Sequence, residues 1–303
     1  MTITENKKSE YFAIHPQILR INSILTFAIY IKTGESAYSK ISVPDKTYTA
    51  LIHAMIFKNN VPALFIRAEE EEHYYDYLEK YIDDIFSDLL ISVKSKARIA
   101  HELATKLAKL SMEKPTEHVI RRYKKIVSLI SDFIYENELS VKYLITMTSS
   151  SYHEYNHLIN VGIYAMGLLR ELVKKEDGHD IHQIAAGFFL HDIGKSIIPR
   201  HIAQKNSRLS DEEWALIRRH PQEGLKLLEK LHESSEEIRI IVLQHHERHN
   251  GKGYPMGLMG DNIHTYAKIC AIADAFDALT SHRPYRHAQS SFNALKTMQK
   301  EMN

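Results

Sequence analysis

The spacing of apolar residues divides the chain into a short mixed region and a long helical region. Residues 24–31 and 63–66 are apolar runs of the length typical of strands. Between them, apolar residues recur at helical spacing from about Asp45 to Ile56. This pattern predicts a small α/β N-terminal domain over residues 1–72.

A long apolar stripe follows this domain. Apolar residues recur every three or four positions from Glu70 through Leu90, and the spacing continues to Leu107 before Pro115 interrupts it. The stripe predicts one long helix, and a second helix is expected over residues 116–135. Together they form a predicted helical connector over residues 73–145, with stripes typical of core packing.

Helical spacing dominates the chain after Ser149-Ser150-Ser151. Ser210 and Glu213 form the signature of a capping box, and Pro221 is expected to kink or restart the helix that they open. The predicted fold is an all-α helical bundle over residues 146–303. Its helices are expected over residues 154–175, 181–193, 210–230, 236–249 and 265–281.

Composition excludes several classes of function. A net charge of +1 over 303 residues argues against a dedicated binder of nucleic acid polymers. No apolar stretch reaches the roughly 20 residues that a membrane helix needs. The single cysteine, Cys270, cannot form an internal disulfide, excludes thiolate zinc sites and fits a reducing compartment. We therefore expect a cytoplasmic protein without a membrane partner.

Histidines are concentrated in the helical region, where 14 of the 19 lie between His153 and His287. A single histidine is usually an ordinary core or surface residue. However, burying a polar group in apolar surroundings is costly unless the group is paired or binds a metal. Seven such side chains on five predicted helices therefore favour a metal site. They are His157, His191, Asp192, His220, His245, His246 and Asp274.

The adjacent pairs suit two ions better than one. Neighbouring residues on a helix point about 100° apart, so His191-Asp192 and His245-His246 can each serve two ions side by side. Five imidazoles and two carboxylates without sulfur favour iron, manganese or zinc. Seven ligands exceed what a closed structural zinc site needs, and sharing them between two ions implies a bridging carboxylate, most naturally Asp192.

Such a centre suits the hydrolysis of a phosphate ester, because two ions can activate a bridging water and hold the phosphate oxygens. Lys195 follows Asp192 by three residues, so a helical turn would direct its ammonium towards the same site. The alternative role for Lys195 is that of a cation at a helix C-terminus.

Three tracts resemble the HD-GYP family: His191-Asp192-Ile193-Gly194-Lys195, His245-His246-Glu247 and Asn250-Gly251-Lys252-Gly253-Tyr254-Pro255. Further matches lie around His220-Pro221, Asp274 and Arg283-Pro284-Tyr285-Arg286, and the similarity covers roughly residues 153–298. The resemblance implies a helical bundle of the HD superfamily with a binuclear or trinuclear centre that often contains iron. It also implies phosphodiesterase action on cyclic di-GMP, which gives linear pGpG or GMP.

Carried over by motif, the resemblance implies the same seven metal ligands and catalytic roles for Asp192 and Lys195. It further implies that Lys195, Tyr254, Arg283 and Arg286 bind the substrate. The chemistry agrees, because arginine presents a rigid fork to phosphate oxygens and guanine acceptors. Without the resemblance, Tyr254 would belong to a turn after glycines and the arginines to a solvated helix end.

The sequence departs from the family pattern in three places. Asn250 replaces the usual aspartate, which removes a charge that could orient the loop or a ligand histidine. His153 lies one turn before His157, where some relatives carry a carboxylate, and is either an extra ligand or only a neighbour. The chain ends at Asn303, before a helix with which the family commonly continues, and this would leave the pocket more open.

The expected function is a cyclic di-GMP phosphodiesterase with two metal ions, iron in preference to manganese or zinc. The N-terminal domain is assigned a regulatory role by its position alone. A different nucleotide or cyclic dinucleotide is a second candidate substrate. The alternative to an enzyme is a weakly active or inactive cyclic di-GMP receptor that retains the metals. In either case, the Gly253-Tyr254-Pro255 loop is a candidate contact for cyclic di-GMP synthase domains.

Overall fold

The structure is a computed structural model that describes residues 10–148, 154–174, 178–203, 205, 209–282 and 287–301. The chain forms two compact units, Met1–Ile99 and Ala100–Asn303. The domain boundaries given above, 1–72, 73–145 and 146–303, stay predictions.

The first unit contains the small sheet predicted for the N-terminal region. Its strands are β1 (Tyr11–Ile14), β2 (Ile24–Leu25), β3 (Ile29–Lys32), β4 (Tyr38–Ser42), β5 (Lys46–Thr47) and β6 (Leu64–Arg67). Four of them form an antiparallel sheet in the order β1-β6-β3-β4, and β2 pairs separately with β5. The helices are α1 (Ala50–Lys58), α2 (Glu71–Ser87) and α3 (Val93–Glu113), the last of which contains the boundary between the units.

The first helix begins later than the apolar spacing predicts. Asp45 has a φ of 59°, in the left-handed region, so the helix cannot start there. It begins at Ala50, where the side chain of Thr49 accepts the backbone N–H of Ile52 at 3.3 Å. An N-cap of this kind ends the preceding extended segment and satisfies one unpaired N–H of the first turn.

The prediction of a single long helix after Glu70 was wrong. The structure breaks it between α2 and α3, where the carboxylate of Asp88 accepts the backbone N–H of Leu90 at 2.9 Å. Leu89 and Leu90 are 95% and 88% exposed. They extend the apolar spacing of the sequence without facing the core, so spacing alone does not reveal the break.

In the described residues of the second unit, every regular element is a helix apart from a single bridge between Asn250 and Met259, which confirms the helical prediction. Three of its helices were not predicted, and they are Glu138–Ile145, Arg200–Ala203 and Ser291–Glu301. None of the helices in the described parts of the chain has the length and apolar character needed to cross a bilayer. After α3 the helices are α4 (Glu117–Glu136), α5 (Glu138–Ile145), α6 (Glu154–Leu172), α7 (Ile181–Leu190), α8 (Arg200–Ala203), α9 (Asp211–Ile217), α10 (His220–Lys230), α11 (Glu236–Gln244), α12 (Thr265–Thr280) and α13 (Ser291–Glu301).

The predicted disruption near Pro221 is confirmed. The capping box of Ser210 and Glu213 opens α9, and α10 restarts at His220 with Pro221 in its first turn. A proline is tolerated there because the first N–H groups of a helix have no intrahelical partner. The restart places His220 at the N-terminal end of a new helix.

Helix α7 lies at the centre of the second unit and packs against α4, α6 and α11. Gly187 permits the close approach of α11, since a Cβ at this position would lie 2.5 Å from Cδ1 of Ile241. His191 and His245 follow the last residues of α7 and α11 directly. Packing of the two helices therefore brings their imidazoles to a centroid separation of 5.0 Å.

Candidate metal centre

The structure brings all seven predicted ligands together. The donor atoms of six of them fall into two overlapping groups, within each of which every atom lies within 4.8 Å of the others. Asp274 lies beside both, with Oδ1 3.3 Å from Nε2 of His157 and Oδ2 3.7 Å from Nδ1 of His246. One group is His157, His191 and Asp192, and the other is Asp192, His220, His245 and His246.

Backbone carbonyls orient three of the imidazoles. Nδ1 of His191, His220 and His245 lies 2.8, 2.8 and 2.9 Å from the carbonyl oxygen three residues earlier in the chain. A carbonyl oxygen only accepts hydrogen bonds, so Nδ1 carries the proton in each ring. Nε2 of each ring is left to face the centre, where the Nε2 atoms of His220 and His245 lie 3.2 Å apart.

A carboxylate orients His157. Its Nδ1 lies 2.7 Å from Oδ2 of Asp277, which is only 2% exposed. Oδ1 of Asp277 accepts hydrogen bonds from Nδ2 of Asn160 at 2.7 Å and Oγ of Ser281 at 3.0 Å. Nε2 of His157 therefore faces the centre, 3.3 Å from Oδ2 of Asp192. A carboxylate behind an imidazole in this way is common at metal-binding histidines.

The donor atoms are better suited to binding a divalent ion than to forming hydrogen bonds with one another. In the described part of the chain, Nε2 of His191 and Oδ1 of Asp192 are buried without a hydrogen-bond partner. Oδ1 does lie 2.9 Å from Nε2 of His220, but not in hydrogen-bond geometry. Burial lowers the pKa of His245 to about 4, so its ring is neutral at pH 7, as metal binding requires.

The charges also favour a cation. Burial tends to raise the pKa of Asp192, but the charge of Lys195 and the neighbouring imidazoles hold it well below its usual value. Burial tends to lower the pKa of His157, yet its hydrogen bonds with Asp192, Asp274 and Asp277 raise it well above its usual value. The carboxylates thus stabilise positive charge in the space that they share.

Lys195 reaches the centre as its spacing predicts. It lies in a 3₁₀ turn, Ile193–Ile197, and its Nζ is 2.5 Å from Oδ2 of Asp192. Its side chain is 24% exposed, so it lies at the border between the buried donor atoms and the solvent. Its catalytic and substrate-binding roles stay predictions.

Glu247 holds the loop that contains the Gly-Tyr-Pro tract. This carboxylate is 2% exposed and accepts the backbone N–H of Met256 at 2.7 Å and that of Leu258 at 2.9 Å. A Cβ on Gly253 would lie 2.4 Å from the backbone nitrogen of Arg248, so a larger residue does not fit there. The loop therefore folds back tightly onto the end of α11.

Tyr254 forms one edge of the centre. Its ring centroid lies 4.7 Å from that of His246 and 6.3 Å from that of His220. Its backbone N–H donates to the carbonyl oxygen of His246 at 3.3 Å. Burial raises the pKa of its hydroxyl, so Tyr254 offers a neutral hydrogen-bond donor at pH 7.

Asn250 forms a local turn. Its Oδ1 accepts the backbone N–H of Lys252 at 3.0 Å, and Gly251 between them has a φ of 72°. An aspartate could accept the same hydrogen bond, because both side chains form turns of this type. The substitution at position 250 therefore leaves the hydrogen bond of the turn in place.

Three sequence-predicted site residues, His153, Arg283 and Arg286, lie outside the described residues, and their roles stay predictions. Conversely, no role was predicted for Asp277 or Glu247, although both lie in the tracts around Asp274 and His245 that resemble the family. Asp277 had a usable signal, since it follows Asp274 by three residues and so lies on the same face of α12. Glu247 had only its position directly after two predicted ligands.

Comparisons with known proteins give the family. A model described as "HD domain" matches residues 140–303, which is more than half of the chain. A cyclic di-GMP phosphodiesterase of Pseudomonas aeruginosa is 32% identical over 173 residues, or 57% of this chain and 41% of that protein. A 3'3'-cGAMP-specific phosphodiesterase of Vibrio cholerae is 35% identical over 131 residues, or 43% and 25%. The chain thus spans less than half the length of these curated relatives.

A solved structure supports the fold. Bd1817, an HDG"Y"P protein from Bdellovibrio bacteriovorus, matches with a TM-score of 0.63 over 96% of this chain and 94% of its own. At 21% sequence identity this likeness concerns the fold alone. The family model, the relatives and the His-Asp and Gly-Tyr-Pro tracts lead to one conclusion: the chain belongs to the HD domain family, and to its HD-GYP type.

Proposed function

We propose that this chain is a metal-dependent phosphodiesterase that hydrolyses cyclic di-GMP to pGpG, GMP or both. The observation that carries the proposal is the sharing of Asp192 by two groups of potential ligands. A shared carboxylate suits two adjacent ions, which is the arrangement of many enzymes that cleave phosphate esters. The substrate is inferred from the names of the relatives.

Each group would hold one ion. His157 and His191 would bind the first, and His220, His245 and His246 the second, with Asp192 between them and Asp274 beside both. The mixed nitrogen and oxygen donors suit iron, our first choice, as well as manganese or zinc. Bound ions would lower the pKa of a water molecule between them and neutralise charge on the phosphodiester.

The side chains of the protein bind and orient the substrate in this proposal. The Nζ of Lys195 lies 2.5 Å from Oδ2 of Asp192, so this ammonium is placed to neutralise a phosphate oxygen or the leaving oxygen. Tyr254 offers its protonated hydroxyl beside the ring of His246. Arg283 and Arg286 are proposed to contact phosphates and guanines, as the family resemblance implies.

The relative from Vibrio cholerae favours a second candidate substrate, 3'3'-cGAMP. This molecule also contains two phosphodiester bonds and differs from cyclic di-GMP in one base. The chemistry at the metal centre would be the same for both. A comparison of turnover on the two substrates therefore decides between them.

The experiment combines metal analysis with product analysis on anaerobically purified protein. We expect about two metal ions per chain and conversion of cyclic di-GMP to a linear product. Asp192→Asn should lose both metal and turnover, whereas the exposed Asp261→Asn should keep both. If the metal-loaded protein left cyclic dinucleotides intact, the enzymatic proposal would fail. Tight calorimetric binding without product would then identify the receptor alternative.

The predicted contact of the Gly253-Tyr254-Pro255 loop with synthase domains is a separate proposal. Just after this loop, Glu247 occupies the N–H groups of Met256 and Leu258, and the exposed side chain of Met256 offers a partner an apolar contact. A pull-down of synthase domains with the wild type and with Tyr254→Ala tests the contact. Equal capture by both proteins would contradict a role for the tyrosine.

A further inference from the structure

The positively charged guanidinium of Arg218 lies over the ring of Tyr254, which forms one edge of the candidate metal centre. Its Cζ lies 5.8 Å from the ring centroid of Tyr254, a distance typical of a cation–π contact. The same ring lies 4.7 Å from that of His246. Arg218 also caps the C-terminus of α9, two residues before His220, so the junction of α9 and α10 fixes its backbone beside the centre.

The charge of Arg218 is not compensated by the described residues. Its side chain is exposed and forms no ion pair among them, whereas the neighbouring Arg219 pairs with Glu223 at 3.4 Å. A guanidinium offers five hydrogen-bond donors in a fork that matches phosphate oxygens. Arg218 is therefore available to an anion that approaches along the ring of Tyr254.

A cyclic dinucleotide supplies such an anion. It contains two phosphodiester groups joined in one ring, and only one of them can lie at the metal centre during cleavage. The second remains negatively charged and has to lie outside the group of metal ligands. We propose that Arg218 is a substrate-binding residue that contacts this second phosphodiester, with its guanidinium steadied by the ring of Tyr254. The proposal deepens the function proposed above and rests on it.

The test compares Arg218→Ala and Arg218→Lys with the matched variant Arg219→Ala. The substrates are cyclic di-GMP and bis(4-nitrophenyl) phosphate, which has one phosphodiester group. We expect Arg218→Ala to raise KM for cyclic di-GMP about tenfold. This factor should be at least about five times the factor by which the variant raises KM for the small diester. Arg218→Lys should have an intermediate effect, and Arg219→Ala should behave as the wild type. A uniform loss on both substrates, or no loss, would overturn the proposal.

A second measurement separates a phosphate contact from a base contact. Cyclic di-AMP carries the same two phosphates without guanine, so its inhibition constant should rise in Arg218→Ala by the same factor as the KM for cyclic di-GMP. A rise confined to cyclic di-GMP would show that Arg218 binds guanine and would overturn the phosphate contact.

Binding distinguishes the failure of this proposal from the failure of the proposed function. If the metal-loaded wild type binds cyclic di-GMP without cleaving it, the enzymatic function fails, and calorimetric Kd values of the same variants still test Arg218. If the wild type neither binds nor cleaves it, both proposals are overturned.

Discussion

Nδ1 of His157 lies 2.7 Å from Oδ2 of Asp277, so a predicted metal ligand is oriented by a carboxylate on another helix. Asn160 and Ser281 hold the other oxygen of Asp277, which leaves this carboxylate little freedom to turn. The direction of Nε2 of His157 thus depends on a residue that lies behind the ring. This relationship makes Asp277 a positioning residue whose effect is measurable through the metal.

The first prediction concerns the Asp277→Asn variant. An amide keeps the shape of the side chain but loses the charge that holds His157, so we expect metal affinity to fall about 10–100-fold. Titration against a competing chelator measures this affinity, and thermal unfolding of the metal-free protein measures the fold separately. Asp261→Asn, which changes a fully exposed aspartate, is the control. A lower unfolding temperature with unchanged metal affinity would show that Asp277 stabilises the fold but does not position a metal ligand.

The second prediction concerns Glu247, whose carboxylate accepts two backbone N–H groups of the Gly-Tyr-Pro loop. Glu247→Gln keeps one acceptor oxygen and turns an NH₂ group towards the other backbone N–H. Because this N–H then has no acceptor, the free energy of unfolding should fall by about 1–3 kcal/mol. We expect faster hydrogen exchange at Met256 and Leu258 and a higher KM for cyclic di-GMP, with metal content unchanged. Glu236→Gln, which changes an exposed glutamate at the start of α11, is the control. Unchanged exchange at both amides would contradict this role.

The residues that meet in the candidate metal centre could be predicted because their signals are local. His191 and His245 directly follow apolar runs, and these runs form the ends of α7 and α11. Backbone carbonyls in the last turns of these helices orient the two rings. Pro221 indicated that a helix restarts at this point, and the restart places His220 at the start of α10. Each of these signals lies within a few residues of the side chain that it predicts, which is the range over which helix geometry can be inferred from sequence.

The remaining features depend on contacts between distant segments. Nothing near Arg218 in the sequence indicates that its guanidinium lies over Tyr254, because 36 residues separate them. Similarly, the exposed Leu89 and Leu90 continue an apolar spacing that the fold does not use. Apolar spacing identifies a face that can be buried, but only the packing partners decide whether it is buried.

The third prediction concerns the contact between Gly194 and α10. A Cβ on Gly194 would lie 1.9 Å from the carbonyl oxygen of His220 and 2.6 Å from the backbone nitrogen of Gly224, and neither backbone atom can give way easily. We expect Gly194→Ala to separate Asp192 from His220 and to lower the free energy of unfolding by about 1–3 kcal/mol.

Urea denaturation and metal content measure the two effects of Gly194→Ala. Gly34→Ala is the control, because its Cβ would meet only the Cβ of Ala37 at 3.4 Å, an ordinary contact. A Gly194→Ala protein with wild-type metal content and stability would show that the backbones adjust without disturbing the ligands.

The fourth prediction concerns Glu233, whose carboxylate lies 2.6 Å from Nε of Arg121 and 2.9 Å from Nζ of Lys124. Burial tends to raise its pKa, but these cations hold the pKa below its usual 4.5. Such a group stabilises the fold above pH 4.5, and this stability is lost as the pH falls through the folded-state pKa. In urea denaturation, Glu233→Gln should therefore cost about 1 kcal/mol at pH 7 and progressively less as the pH falls below 4.5. Glu229→Gln removes a partly exposed ion pair with Arg239, so it should cost less than about 0.5 kcal/mol. A cost for Glu233→Gln that stayed constant from pH 7 to pH 3 would show that packing, and not the ion pairs, makes this residue stabilising.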